Sequence, residues 1–178
     1  AAVLGELTRP IDEVCREASS AGLVVPANYN AVEQTVVSGE VAGVEQAMAL
    51  AKDAGAKRVV RLPVSGAFHS PLMEPAAAGL SEALGAAAWR DLSWPVYSNV
   101  TAAPITAAAD ARALLLRQLT SPVRWVEVIR AMAAAHPGAT FVEMGPGNVL
   151  TGLLKRLAPD SPARTCGTAA DVAALLAS

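Results

Sequence analysis

Two histidines occur among the 178 residues, and one of them, His69, stands where chemistry is often done. It lies in PVSGAFHS (Pro63 to Ser70), a loop of small residues between a strand-like run, KRVVRLP, and a helix-like run, SPLMEPAAAGLSEAL. Open α/β sheets place ligands beyond the carboxyl ends of their strands. A histidine there can serve as a general base when another group orients its second ring nitrogen. A loop histidine bonded to a backbone group, with no further role, explains the residue equally well. The chain offers no clear nucleophile for it. There is no GxSxG and so no nucleophile elbow, and Ser65 and Ser70 are neighbours in sequence rather than an aligned pair.

Other reactive residue types give weaker signals. Cys15 and Cys166 are far apart, lack CxxC spacing and read as packing residues on a helix face and a strand face. That excludes a disulfide scaffold, gives no metal site and fits a reducing cytoplasm. His136, ahead of Pro137 and Gly138, reads as a helix C-terminal cap. EMGPGNVLTGL (Glu143 to Leu153) takes a strand through a turn into a helix whose free N–H groups could hold an anion. A tight connection explains it as well, because GxGxxG and the Walker lysine are missing. Gln118, in LLLRQLTSPVRW, reads by itself as an exposed residue at a helix end.

The bulk composition narrows the classes further. A net charge of -2 marks neither a general nucleic-acid binder nor a membrane-surface binder, and aromatics at 4% make no stacking platform. No apolar run approaches the ~18 residues of a membrane-spanning helix. The start, AAVLGELTRPIDE, lacks the basic and apolar regions of a signal peptide.

The elements that must position these residues are readable from periodicity. AAVLGEL reads as a strand. IDEVCREASSAG reads as a helix with Pro10 at its first turn and Gly22 as its stop. LVVPANYN is a strand whose proline makes it an edge or bulged strand. NAVE is a turn carrying Asn30, and QTVVSGE is a further strand. In VAGVEQAMALAKDAGA, Val41, Val44, Met48 and Ala51 share one helix face. With KRVVRLPV as the last strand, the order through Val64 is βαββαβ, the ferredoxin-like split pattern. After Ser65 the reading is a helix over Leu72 to Ala87, a strand at WPVYSNVT and a Pro/Ala-rich loop. Helices at ADARALLLRQLT and SPVRWVEVIRAMAAAH, a strand at TFVEMG, and a final helix–strand–helix follow. Alternation of this kind predicts a parallel sheet covered on both faces. The division is residues 1–64 and 65–178, in an α/β chain.

Five blocks carry a resemblance that no single motif carries. ANYNAVEQTVVSGE, AKRVVRLPVSGAFHSPLM, YSNVTA, LRQLTSPVRW and EMGPGNVLTGLLKR occur here in the order found in malonyl-CoA:acyl carrier protein transacylases. The acyltransferase domains of polyketide synthases are related to them. The resemblance covers almost the whole chain. It implies a ferredoxin-like small subdomain followed by the C-terminal part of an α/β-hydrolase-like large subdomain. It also implies ping-pong acyl transfer through an acyl-serine. His69 aligns with the family base, and Gln118 with the residue whose backbone carbonyl orients that base. Phe68 aligns with a residue that goes with malonyl rather than methylmalonyl selection. Asn28 and Asn30 align with asparagines of the cleft in which pantetheine runs.

The serine of the family's GHSxGE elbow, its carboxylate-binding arginine and its oxyanion loop have no counterpart among these residues. The chain therefore resembles roughly the C-terminal 60% of such an enzyme and is expected to be inactive without the preceding segment. Expected partners are malonyl-CoA, acyl carrier protein and that N-terminal segment, with Lys57 and Arg58 as a candidate carrier-docking pair. No cofactor, metal, nucleic acid or membrane is expected: malonyl-CoA is a substrate and the phosphopantetheine belongs to the carrier. The complete protein is expected to be a cytoplasmic monomer serving fatty-acid synthesis. Two alternatives stay open: a non-catalytic module that binds acyl carrier protein or CoA, and a fragment of a polyketide-synthase acyltransferase.

Overall fold

The structure, a computed structural model, describes residues 1–177; the last residue of the expected second part lies outside them. The first strand, β1 (Ala2–Leu4), is followed by α1 (Ile11–Ala18), β2 (Val24–Ala31), β3 (Gln34–Gly39), α2 (Val41–Asp53) and β4 (Arg58–Val60). The sheet order is β2-β3-β1-β4 with every neighbouring pair antiparallel. This is the ferredoxin-like arrangement, in which each helix crosses over the sheet between strands that are not neighbours. Ile11, Val14, Cys15 and Ala18 recur at helical spacing and are buried. They meet Val3, Val24, Val37, Ala47 and Ala51 in one apolar core. Burial, with the Asp12 carboxylate adding to it, pushes the Cys15 thiol up to about 12, as befits a packing residue.

Two expectations about these helices need correction. The first helix ends at Ala18, before Gly22, and the Ser19 hydroxyl that caps it donates to the Cys15 and Val24 carbonyls. In α2 the buried face is Gly43, Ala47 and Ala51, while Val41 is 60% exposed. Close approach of the backbones selects that face. A Cβ on Gly43 would lie 2.0 Å from the Gly22 carbonyl oxygen, so only glycine lets the helix sit there. Helix propensity alone favours alanine over glycine by ~1 kcal/mol. We expect the opposite here: Gly43→Ala should lower stability by about 1–3 kcal/mol through overpacking. A denaturant melt showing Gly43→Ala equal to or more stable than the parent would contradict this close approach.

β2 is both the sheet edge and irregular, as its proline predicts, with register shifts at Pro26/Asn28 and Tyr29/Ala31. Asn30 lies within β2 rather than in a turn, since the chain reverses two residues later, at Val32 and Glu33. The free edge is partly covered. Tyr29 N–H donates to Val123 O (2.9 Å), Val123 N–H donates to Ala27 O (2.8 Å), and Asn28 and Val123 form a parallel bridge.

Beyond β4 the chain runs through a 3₁₀ turn (Pro71–Ala76) into α3 (Ala77–Ala86). The single helix expected from Leu72 is thus split, with Pro75 inside the 3₁₀ segment, where a proline ring disfavours α geometry behind it. β5 (Val96–Tyr97) pairs antiparallel with β6 (Pro104–Ile105), a strand hidden in the stretch read as loop. The parallel sheet expected here is therefore limited to β7 (Phe141–Met144) and β8 (Ala163–Cys166). Between these pairs come α4 (Ala108–Gln118) and α5 (Trp125–Ala135); α6 (Val149–Leu157) joins β7 to β8, and α7 (Ala169–Leu176) follows. The chain forms two compact units, Ala1–Val128 and Ile129–Ser178.

Candidate functional site

Within the first unit, the loop after β4 presents His69 with φ 60°, one of two non-glycine residues in the left-handed region among those described. That conformation costs an L-residue of order 1–2 kcal/mol, so something local must hold it. The neighbouring residue does so. Ser70 is fully buried, its hydroxyl donates to Ala67 O at 2.6 Å, and the same oxygen accepts from Leu72 N–H at 3.3 Å. Ser70 is thereby the N-cap of the 3₁₀ turn, with Pro71 behind it in the first helical position. The loop is closed two residues before the histidine and one residue after it.

The imidazole is half-buried and reaches α4. Its Nδ1 lies 3.0 Å from the backbone oxygen of Gln118, the last residue of that helix. The Gln118 side-chain nitrogen lies farther from Nδ1, at 3.4 Å, and donates to Ser121 O at 2.8 Å. A carbonyl only accepts, so the shorter contact requires a proton on Nδ1. That tautomer leaves Nε2 with its lone pair, and Nε2 has no protein partner among the described residues. The ring is oriented by a neutral carbonyl at a helix C-terminus, where carbonyls are free because the helix has ended. Gln118 itself is half-buried rather than exposed, because its amide turns inward to the 121–122 backbone.

The surrounding hydrogen bonds tie four of the quoted blocks into one frame. Residues 121–124 do not begin a helix as expected; they run extended and bond outward until α5 starts at Trp125. Val123 joins β2 beside Asn28, while Arg124 N–H donates to Asn99 O (3.1 Å) and its guanidinium to Val100 O (3.2 Å). The same guanidinium grips both Glu127 carboxylate oxygens and holds that carboxyl below the usual carboxylate range. Phe68 is 53% exposed, and its ring lies over Gly66, where a Cβ would come within 2.9 Å of Cε2. Ser65, Gly66 and Ala67 also line a cleft of about 250 Å³ with Val44, Arg61 and Val64.

His69, Gln118, Phe68 and the Asn28 strand are thus brought into one connected region. Lys57 and Arg58 are exposed at the start of β4, whereas the histidine loop follows its end, and no hydrogen bond or ion pair links them to His69 among the described residues. By sequence Ser70 is weighed only as a nucleophile, and its capping role and the Arg124–Glu127 pair are missed. The Ser-Pro dipeptide, an N-cap followed by a proline at the first helical position, was the available signal for Ser70.

In the second unit the candidate anion site is already filled. Glu143, on β7, accepts from Leu150 N–H (3.0 Å) and Thr151 N–H (2.7 Å) at the start of α6, and these bonds hold its carboxyl below the ordinary value. EMGPGN is therefore the tight connection of the two readings. Among the described residues no three of His, Cys, Asp and Glu are grouped to hold a metal ion, and no helix is long and apolar enough to cross a membrane.

Comparison with known proteins gives consistent matches. The acyl transferase domain family matches residues 5–172. The malonyl CoA-acyl carrier protein transacylase of Bacillus subtilis is 46% identical over 158 residues, which are 88% of this chain and 50% of that protein. The crystal structure of an acyl-carrier-protein-S-malonyltransferase from Bartonella henselae superposes with a TM-score of 0.93 at 39% identity, over 99% of this chain and 56% of that one. A malonyl-transacylase solved in complex with its type II polyketide-synthase acyl-carrier protein gives 0.91 at 36% identity, over 99% and 57%. The chain spans about half the length of the curated relatives it matches. The fold class read from the sequence stands: α/β, a ferredoxin-like part with the C-terminal part of an α/β-hydrolase-like subdomain.

Proposed function

The chain belongs to the acyl transferase domain family, and on that premise we propose that it is the base-bearing part of a malonyl-CoA:acyl carrier protein transacylase of fatty-acid synthesis. The observation that carries the reading is the contact of His69 Nδ1 with the Gln118 carbonyl, which leaves Nε2 as a proton acceptor. Nε2 takes the proton of a serine hydroxyl as its oxygen attacks the malonyl thioester. It returns that proton to the departing CoA sulfur, leaving malonyl-serine. In the second half-reaction Nε2 takes the proton of the carrier's pantetheine thiol, the sulfur attacks the malonyl ester, and the proton goes back to the serine oxygen. The serine, the arginine for the malonyl carboxylate and the oxyanion donors come from the remainder of the family fold.

Residues 1–64 form the small subdomain and 65–178 part of the large one. Asn28 and Asn30 line the pantetheine path, and Lys57 and Arg58 belong to the carrier-docking face. The chemistry uses no cofactor, and the protein is a cytoplasmic monomer.

Phe68 narrows the space beside the substrate α-carbon. Incubating the full-length protein with malonyl-CoA should add the mass of one malonyl group, which acyl carrier protein then removes; methylmalonyl-CoA should react far less. Phe68→Ser should shrink the preference for malonyl-CoA by about tenfold, the scale of one methyl in an apolar pocket. Absence of any adduct overturns the transferase reading, and an unchanged substrate ratio in Phe68→Ser removes the selector role.

A further inference from the structure

We propose that Ser70 is a positioning residue for the base, a role that rests on the reading of His69 as proton acceptor. Three observations converge on it. His69 is held at φ 60°, a conformation that the loop must impose. Among the described residues Ser70 is the one hydroxyl-bearing residue with no exposed surface, and its oxygen is bonded on both sides, to Ala67 O at 2.6 Å and from Leu72 N–H at 3.3 Å. The imidazole makes its contact to Gln118 from the residue between those two bonds. The Ser70 hydroxyl therefore spans His69: it fastens the carbonyl two residues before the ring to the N–H three residues after it. With the backbone of residue 69 fixed from both sides, the side chain has little freedom to leave the Gln118 carbonyl. If the hydroxyl is removed, residue 69 can relax towards negative φ, which swings Cβ and moves the ring away from α4. The Nδ1 proton then loses its acceptor, and the alternative tautomer, with the proton on Nε2 and no free lone pair there, becomes populated.

A residue acting through ring orientation should alter the chemical step and not the grip on substrate. In the full-length protein, Ser70→Ala should lower kcat for malonyl transfer about ten- to a hundred-fold, the cost of a displacement near 1 Å at a reacting group. KM for malonyl-CoA should stay within about twofold. Ser70→Thr, which keeps a hydroxyl at the same place, should recover most of the rate. A second readout does not need activity. Nitrogen-15 shifts of the His69 ring should report the Nδ1–H tautomer in the parent, and a mixture of tautomers in Ser70→Ala. If Ser70→Ala does not fold, Ser70→Cys, nearly isosteric but a weak donor, is judged by the same two readouts.

His69→Ala, run in parallel, separates the two ideas. Full activity in His69→Ala ends the reading of the base itself. Loss of activity in His69→Ala, together with parental kcat and a parental tautomer in Ser70→Ala, would overturn the role of Ser70 alone.

Discussion

Replacing His69 by alanine in the full-length protein should reduce malonyl transfer to acyl carrier protein by about a thousandfold, within the 10²–10⁴ range of a lost general base. The loss should fall on kcat, with KM little changed, because proton transfer is made in the transition state and not in the bound ground state. On the proposed mechanism both half-reactions should slow, since one nitrogen would serve serine in the first and the carrier thiol in the second. His69→Gln should be as inactive as His69→Ala. The amide can fill the space and accept a hydrogen bond, yet it cannot take the proton. The basis is the tautomer: Nδ1–H is committed to the Gln118 carbonyl at 3.0 Å, so the lone pair is on Nε2. Transfer of labelled malonyl to carrier protein within tenfold of the parent rate would remove His69 from the mechanism.

The partner of that ring nitrogen is main chain, and this leads to an unusual pair of expectations. Gln118→Ala keeps the carbonyl and loses only the amide that ties Ser121 O at 2.8 Å. Its rate should fall by no more than about tenfold, the worth of roughly one hydrogen bond in the supporting turn. Leu119→Pro touches no side chain of the site, yet it should bring the rate down by more than a hundredfold, close to that of His69→Ala. Proline at 119 removes the N–H that bonds Leu116 O (3.3 Å) and pushes residue 118 out of helical geometry, turning its carbonyl away from the ring. Steady-state rates on proteins with matching far-ultraviolet spectra and melts make the comparison. The reverse order, with Gln118→Ala dead and Leu119→Pro active, would make the side-chain amide at 3.4 Å the true partner.

Much of the fold was legible because it depends on local pattern. The βαββαβ order through Val64 appears in the periodicity of short segments, and the proline in LVVPANYN marked its strand as an irregular edge. Where close packing overrides pattern, the reading slipped. Val41 looks like a core residue by spacing, but the backbone contact at Gly43 turns the small face inward instead. β6 is two residues long and exists only because β5 pairs with it, which no propensity announces. The 121–124 segment reads as the start of a helix, yet its backbone groups find partners on β2 and at Asn99 and stay extended until Trp125.

His69 shows the same division at the level of chemistry. The sequence by itself determined that a histidine stands on a loop of small residues after a strand, and the block order named its relatives. Residue types alone could make it no more than a base without an orienting group. Gln118 is 49 positions away and contributes a backbone oxygen, an atom that every residue carries, so the residue types by themselves say nothing of it and only the family resemblance implied it. The tertiary structure shows how it is met: the oxygen is freed by the end of α4 and lies 3.0 Å from Nδ1. The tertiary structure also places a buried serine next to the histidine, its hydroxyl bonded to the Ala67 carbonyl, in the loop where His69 takes the left-handed conformation.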